Sequence, residues 1–383
     1  MLQKISTRDG YGKRLSELEN PDIVVLTADL AESCRVKAFA EKYPARFIQV
    51  GISEQDMLGI ANGLGLEGKI PFTNTFAGFV IRAHEQIRLI ALNKSNVKVI
   101  GHHSGISLGA DGASQMCEED ISLFRTMPNF TVIVPCDALE TQKAVDAMIK
   151  MHGPCYLRLS REPAPVITNE YSDFKIGKAN ILKEGHDVLI VACGLMIPEA
   201  LRAAKILEEE NIDVCVMNMH TIKPLDKDAL LKYAQKCKAV VTCEEHSIYG
   251  GLGSAVCEAL SLSKVPIKTL GIRDEFGESG TCEELFIKFG LTAESIVEYC
   301  KDVIKFKDGG KVSLKEVDEI VKDINGMNKT LQKESPEQEK IRVAESRTSY
   351  DKDPRNRITK MTPEQKAQMD EVLNKMFGGR KNR

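Results

Sequence analysis

Glu54 is the first residue of this chain whose type and place could do chemistry. It follows a short apolar run (Phe47 to Val50) and Gly51, and it opens a helical stretch, which is where α/β folds expose reactive groups. The plainer reading of the same spacing is a carboxylate that complements a helix dipole, with Ser53 as cap and Asp56 completing a capping-box-like pattern. Phe76 and Phe79 lie three apart on a predicted helix, a spacing that alone describes core aromatics on one face. The segment from His102 to Gln115, HHSGISLGADGASQ, is too polar and glycine-rich for a core element and carries His103, Asp111 and Gln115. It is either a surface connection or a site loop at a strand end. A phosphate would need convergent cations, best the planar forks of arginine, but Arg8 by itself reads as a solvated surface charge.

The elements that must position these residues alternate in type. From Asp22 an apolar run (IVVLTADL) precedes a charged helical stretch, then the run from Phe47 and another helix. A helix after Phe76 follows, with strands at Val97 to Ile100, Thr131 to Val134 and Tyr156 to Leu159. This alternation predicts a parallel sheet covered by helices. A Pro-rich polar stretch, RLSREPAPVITNEY, marks a boundary near Pro165 to Lys175, so the first domain is expected over 1–168. A second, smaller doubly wound α/β domain is expected over 175–306, with strands DVLIVACG, IDVCVMN and AVVTCEEH, a helix from Ala200 to Glu209, a turn at TIKPLD and a glycine-rich helix start at YGGLGSAV. Residues 307–383 turn to Lys, Glu, Asp, Asn and Gln, a composition that predicts a mobile extension. One short amphipathic helix is expected there, from a capping box at Thr362 and Gln365 with Pro363 at its first position.

Composition narrows the function classes. Against 52 Lys and Arg stand 55 Asp and Glu, a net charge of -3, which disfavours nucleic acid or an anionic membrane as the main partner. The 11 cysteines, among them Cys34, Cys136, Cys193, Cys243 and Cys282, are scattered singly without a CxxC pair and read as reduced core thiols. No apolar run has signal-peptide or membrane-span length, so the cytoplasm is the expected location.

Three blocks, GISEQDMLGIANGLGL, PFTNTFAGFVIRAHEQIR and GHHSGISLGADGASQM, together with LRLSREPAP and TCEEHSIYGGLGSAV, resemble the second half of transketolases up to about residue 305. The resemblance implies a thiamine-diphosphate-enzyme pyrimidine-binding domain followed by a transketolase C-terminal domain. Glu54 then falls on the cofactor-activating glutamate, whose hydrogen bond to the pyrimidine ring nitrogen favours the imino tautomer that takes the thiazolium proton. Phe76 and Phe79 fall on the aromatic pocket for the pyrimidine. His103 matches a catalytic, substrate-contacting histidine, Asp111 the carboxylate that reads the sugar's C2 hydroxyl, and Gln115 a polar position near the donor. Arg8, Ser33 and Arg161, with His103, match the phosphate contacts of the sugar substrates. The YGGLG turn is assigned no ligand.

The resemblance also implies what this sequence does not contain. The GDG motif and downstream Asn that hold Mg2+ and the diphosphate in transketolases are absent, so an N-terminal transketolase subunit carrying them is expected as partner. The expected assembly is a heterotetramer that self-associates through its pyrimidine and C-terminal domains and transfers a two-carbon ketol unit between sugar phosphates of the pentose phosphate type. The rival readings are the beta subunit of a 2-oxo acid dehydrogenase, a deoxyxylulose-phosphate synthase, which carries Arg where this chain has His103, and a non-catalytic paralogue that binds a partner.

Overall fold

The computed structural model describes residues 3–307; the extension expected over 307–383, past its first residue, and its helix from Thr362 lie outside the described residues. Strand residues alternate between two apolar clusters. Val25, Cys155 and Leu157 face one with Tyr11, Leu15, Val145 and Met148, while Leu26 and Tyr156 face the other with Met57, Leu58, Ile87 and Phe124. Both faces of the first sheet are therefore covered by helices, which is why its strands read as nearly unbroken apolar runs.

That sheet runs, edge to edge, Thr221–Lys223, Thr131–Ile133, Cys155–Arg158, Lys98–His102, Ile70–Phe76, Ile23–Thr27 and Phe47–Gln49. All neighbours are parallel except Thr221–Lys223, which pairs antiparallel with Thr131–Ile133. The segment TIKPLD, expected as a turn, thus begins with an edge strand lent by the second half of the chain. It covers backbone groups that Thr131–Ile133 would otherwise expose. In the parallel register Phe76 lies opposite His102 and Gly101 opposite Arg158. The carboxyl ends of these strands consequently form one edge, and the segments leaving it carry Ser33, Glu54, Phe79, His103 and Arg161.

A two-stranded pair, Lys4–Ile5 with Ala164–Pro165, ties the start of the chain to the stretch after Arg161. Helix Thr7–Ser16 follows, with Ser6 as N-cap accepting from the Asp9 N–H, and the Ser160 N–H donates to Thr7 Oγ1 at 2.8 Å. Arg8 is thereby held in the first turn beside the segment that carries Arg161.

The second sheet runs Ile267–Ile272, Val240–Ser247, Val188–Ala192, Val214–Asn218 and Asn180–Lys183, antiparallel only at the last strand. Its helices include Met196–Glu209, a turn's worth longer at its start than the sequence suggests. The halves share a core: one apolar cluster links Val99, Phe124 and Val132 with Leu189, Met217 and Val256. A buried ionic group spans the same boundary, with Arg158 Nε donating to both Asp120 oxygens (3.1 and 2.9 Å), Tyr156 donating to Asp120 Oδ2 (2.7 Å) and Arg158 Nη2 to the Glu245 carbonyl (2.9 Å).

Candidate active site

Strand Phe47–Gln49 ends in a turn at Gly51, which has φ of +76° and so suits a residue without Cβ, and helix Glu54–Leu66 begins directly after it. Ser53 does not cap this helix; its hydroxyl donates to the Val50 carbonyl at 3.0 Å. The capping box expected of Ser53 and Asp56 therefore does not form, while Glu54 does lie in the helix's first turn, as the dipole reading expects. Glu54 is only 2% exposed, and Arg82 Nη1, on a largely exposed side chain, approaches Oε2 at 3.3 Å. Burying a carboxylate is costly without strong partners, so a site of this kind favours a further hydrogen-bonding group beside it.

Phe76 and Phe79 do not share a helix as the spacing suggested. Phe76 is the last residue of strand Ile70–Phe76, and Phe79 sits on the one-turn helix Ala77–Val80 that follows. The chain reverses between them and stacks the rings, with centroids 5.2 Å apart and planes at 26°. The Phe76 ring also stacks on the His103 imidazole at 4.0 Å. Above this turn lies the end of the His102–Gln115 loop: a Cβ on Gly78 would stand 2.9 Å from the Met116 carbonyl oxygen. An aromatic pair with a buried carboxylate on the adjoining segment could hold a flat heterocycle that has a hydrogen-bonding ring nitrogen.

His103 begins the loop with φ of +55°, a left-handed conformation uncommon for histidine. It is 3% exposed, and its Nε2 meets Arg8 Nη1. A guanidinium can only donate, so Nε2 accepts and Nδ1 carries the proton; that Nδ1–H is buried without a partner among the described residues. Burial first, and the Arg8 charge second, push the imidazole down to about 2, so it is neutral at any ordinary pH. His102 behind it is also buried and pushed down to about 3; its Nε2 meets Asn74 Oδ1 at 3.2 Å, and Tyr11 donates to the same oxygen.

Arg8 donates to the Ser33 carbonyl at 3.1 Å and to His103, both neutral acceptors, while its buried Nε–H has no partner among the described residues. Burial and the Arg35 charge lower its guanidinium to about 10, still cationic at neutral pH. Arg35 and Arg161 each have a carboxylate, Asp9 at 2.6 Å and Asp111 at 2.8 Å. Arg8 has none in an ion pair among the described residues, and Arg35 and Arg161 lie close enough to lower it, which makes a setting for an anion.

Arg8, Ser33 and His103 are thus brought together by direct contacts, and Arg161 joins them electrostatically. Ser33 contributes its carbonyl to Arg8. Asp111 binds Arg161, a pairing across 50 positions that no local spacing announces. Gln115 is half-buried at the loop's end, its N–H bonded to the Gly112 carbonyl at 3.1 Å. Sequence reasoning did not single out Arg82, Arg35 or Asn74, whose partners lie far along the chain. At the YGGLG turn the helix start is already filled: Glu244 accepts from the Leu252 and Gly253 N–H groups at 2.6 and 2.7 Å.

Two family models match the chain: the transketolase pyrimidine-binding domain over residues 3–166 and the transketolase C-terminal domain over residues 177–296. A 6-deoxy-6-sulfo-D-fructose transketolase subunit from Clostridium sp. (strain MSTE9) is 43% identical over 312 residues, covering 80% of this chain and 97% of the relative. This chain belongs to the transketolase family. A subunit of an apulose-4-phosphate transketolase from Phocaeicola vulgatus is 38% identical over 307 residues, covering 79% of this chain and 97% of the relative. A solved split-gene transketolase, described as an inactive beta4 tetramer, is 45% identical with a TM-score of 0.75 over 79% of this chain and 99% of that one. Within the thiamine-dependent transketolase family, the chain corresponds to the C-terminal subunit of a split enzyme.

Proposed function

We propose that this chain holds the pyrimidine of thiamine diphosphate and the anionic end of a sugar substrate, while a separate N-terminal-type subunit with a GDG motif holds the diphosphate and Mg2+. The reaction is transfer of a two-carbon ketol unit from a ketose phosphate to an aldose phosphate. The observation that carries it is the juxtaposition, on one strand-end edge, of buried Glu54, the Phe76–Phe79 stack and the Arg8–His103 contact. When bound, the cofactor supplies the carbon nucleophile that cleaves a ketose beside its carbonyl group.

The residues of this chain do the rest. The Glu54 carboxylate hydrogen-bonds the pyrimidine and moves a proton at its ring nitrogen, and Phe76 with Phe79 stacks against the heterocycle. The His103 Nδ1–H and Arg8 Nε–H, without partners among the described residues, are donors for substrate oxygens. Arg8 and Arg161 bind the anionic terminus, with Ser33 beside it, and Asp111 and Gln115 face the sugar. The names of the relatives span a sulfonated sugar and a sugar phosphate, and convergent guanidinium groups suit either anion. Two copies of each subunit form the assembly, with self-association through the pyrimidine and C-terminal domains. The cytoplasm suits the unpaired thiols of all the cysteines.

The test is Glu54→Gln in the reconstituted pair. Loss of the proton-moving group lowers ketol transfer by about 10²- to 10⁴-fold. Near-full activity of that variant overturns the assignment.

A further inference from the structure

The loop that carries His103, Asp111 and Gln115 is shaped by the other half of the chain. Its neck closes where the Gly105 N–H donates to the Cys117 carbonyl at 2.9 Å. Inside the neck, the Ser107 N–H donates to Glu245 Oε1 at 2.7 Å, between the two sugar-facing residues His103 and Asp111. Gly105 has φ of +74°, and a Cβ there would collide with the same oxygen, so the loop is built around this carboxylate. Further along, a Cβ on Gly112 would stand 2.6 Å from Ser279 Oγ, and the Gly277 N–H donates to Glu118 Oε1 at 2.9 Å.

Glu245 belongs to strand Val240–Ser247 and is 3% exposed. Its backbone carbonyl is gripped by Arg158, three residues before Arg161, and Arg161 in turn binds both Asp111 and the Leu108 carbonyl. One residue of the C-terminal domain is therefore fastened to both sides of the anion site, to the loop by its side chain and to the Arg161 segment by its backbone.

We infer that Glu245 is a positioning residue for the sugar-reading loop, so that the C-terminal domain sets substrate affinity although it touches no substrate; this rests on the ketol-transfer reading above. A Gln at this position keeps a carbonyl oxygen for the Ser107 N–H. An Asp withdraws the acceptor by one methylene, and an Ala removes it.

The experiment uses the full chain paired with its N-terminal-type subunit. KM for an aldose phosphate such as ribose 5-phosphate rises about five- to tenfold in Glu245→Asp and Glu245→Ala and stays within about twofold in Glu245→Gln. The thiamine diphosphate concentration for half-activity shifts less than KM, because Ser107 lies between the loop's two contacts with the Phe76–Phe79 turn, His103 on Phe76 and the Met116 carbonyl on Gly78. Unchanged KM in both shortened variants, a Gln variant as impaired as Ala, or a cofactor dependence that shifts as far as KM overturns the inference. Should the Ala variant not fold, Asp against Gln carries the same comparison. Amide hydrogen exchange on the isolated chain separates this inference from the function: if the wild-type pair has no ketol transfer, the functional reading fails. Faster exchange over 103–117 in Glu245→Asp than in Glu245→Gln still supports the clamp, and equal exchange overturns it.

Discussion

Replacing Arg8 by Gln tests the anion site where its chemistry is most exposed. The guanidinium donates to the neutral Ser33 carbonyl and His103 Nε2, and keeps a buried Nε–H without partner among the described residues. Arg35 and Arg161 already have Asp9 and Asp111, so Arg8 is the cation of the three that meets no carboxylate in a described ion pair. A charge-assisted hydrogen bond contributes about 1.5–3 kcal/mol, so losing the one to a substrate phosphate should raise KM about 10- to 150-fold. Gln retains a donor for the Ser33 carbonyl, which limits collapse of the site. The assay is ketol transfer by the reconstituted pair, with ribose 5-phosphate compared against glycolaldehyde, an acceptor without phosphate. A large KM increase is expected for the first and little change for the second. An equal loss on both acceptors would show that Arg8 supports the fold of the site and does not read an anion.

Acid stability gives an independent check on His103: the unfolded chain takes up a proton near pH 6.5 that the folded chain refuses, because the folded value is about 2. Stability is lost as pH falls below that unfolded value, by at most about 1.4 kcal/mol per pH unit, so between pH 6.5 and 4.5 His103→Asn should lose about 2–3 kcal/mol less than wild type. Asn tolerates the left-handed backbone at this position, and parallel urea midpoints for the two proteins across that range would contradict the assignment. Gly78→Ala should push the loop carbonyl of Met116 off the Phe76–Phe79 turn, costing about 1–3 kcal/mol of stability and weakening half-activation by thiamine diphosphate; an unaltered cofactor dependence would argue against that packing. Asp120→Ala leaves Arg158 buried and uncompensated and should cost about 3–5 kcal/mol by urea unfolding, whereas a change below about 1 kcal/mol would mean the pair is dispensable.

The α/β class was legible because parallel strands covered on both faces must be apolar along their length, as IVVLT and VCVMN are. What escaped the sequence was anything settled by long-range packing. Thr221–Lys223 reads as part of a turn because three residues carry too little pattern, and only the open edge of Thr131–Ile133 makes them a strand. Phe76 and Phe79 have helical spacing, yet strand pairing with Lys98–His102 continues through Phe76 and displaces the helix start beyond it. The polar, glycine-rich character of His102 to Gln115 marked it as a loop, but its glycines are explained by Glu245, Ser279 and Gly280 pressing from the other half. Arg8 meets His103 across 95 positions, and residue type alone offers no hint of that contact.

The most direct measurement of the central claim is ketol transfer from xylulose 5-phosphate to ribose 5-phosphate, with thiamine diphosphate and Mg2+, by this chain alone and then mixed with an N-terminal-type subunit carrying GDG. Activity in the mixture and none from the chain alone is the predicted result. Activity from the chain alone would contradict the division of the cofactor site between subunits, and silence in both would contradict the proposed ketol transfer.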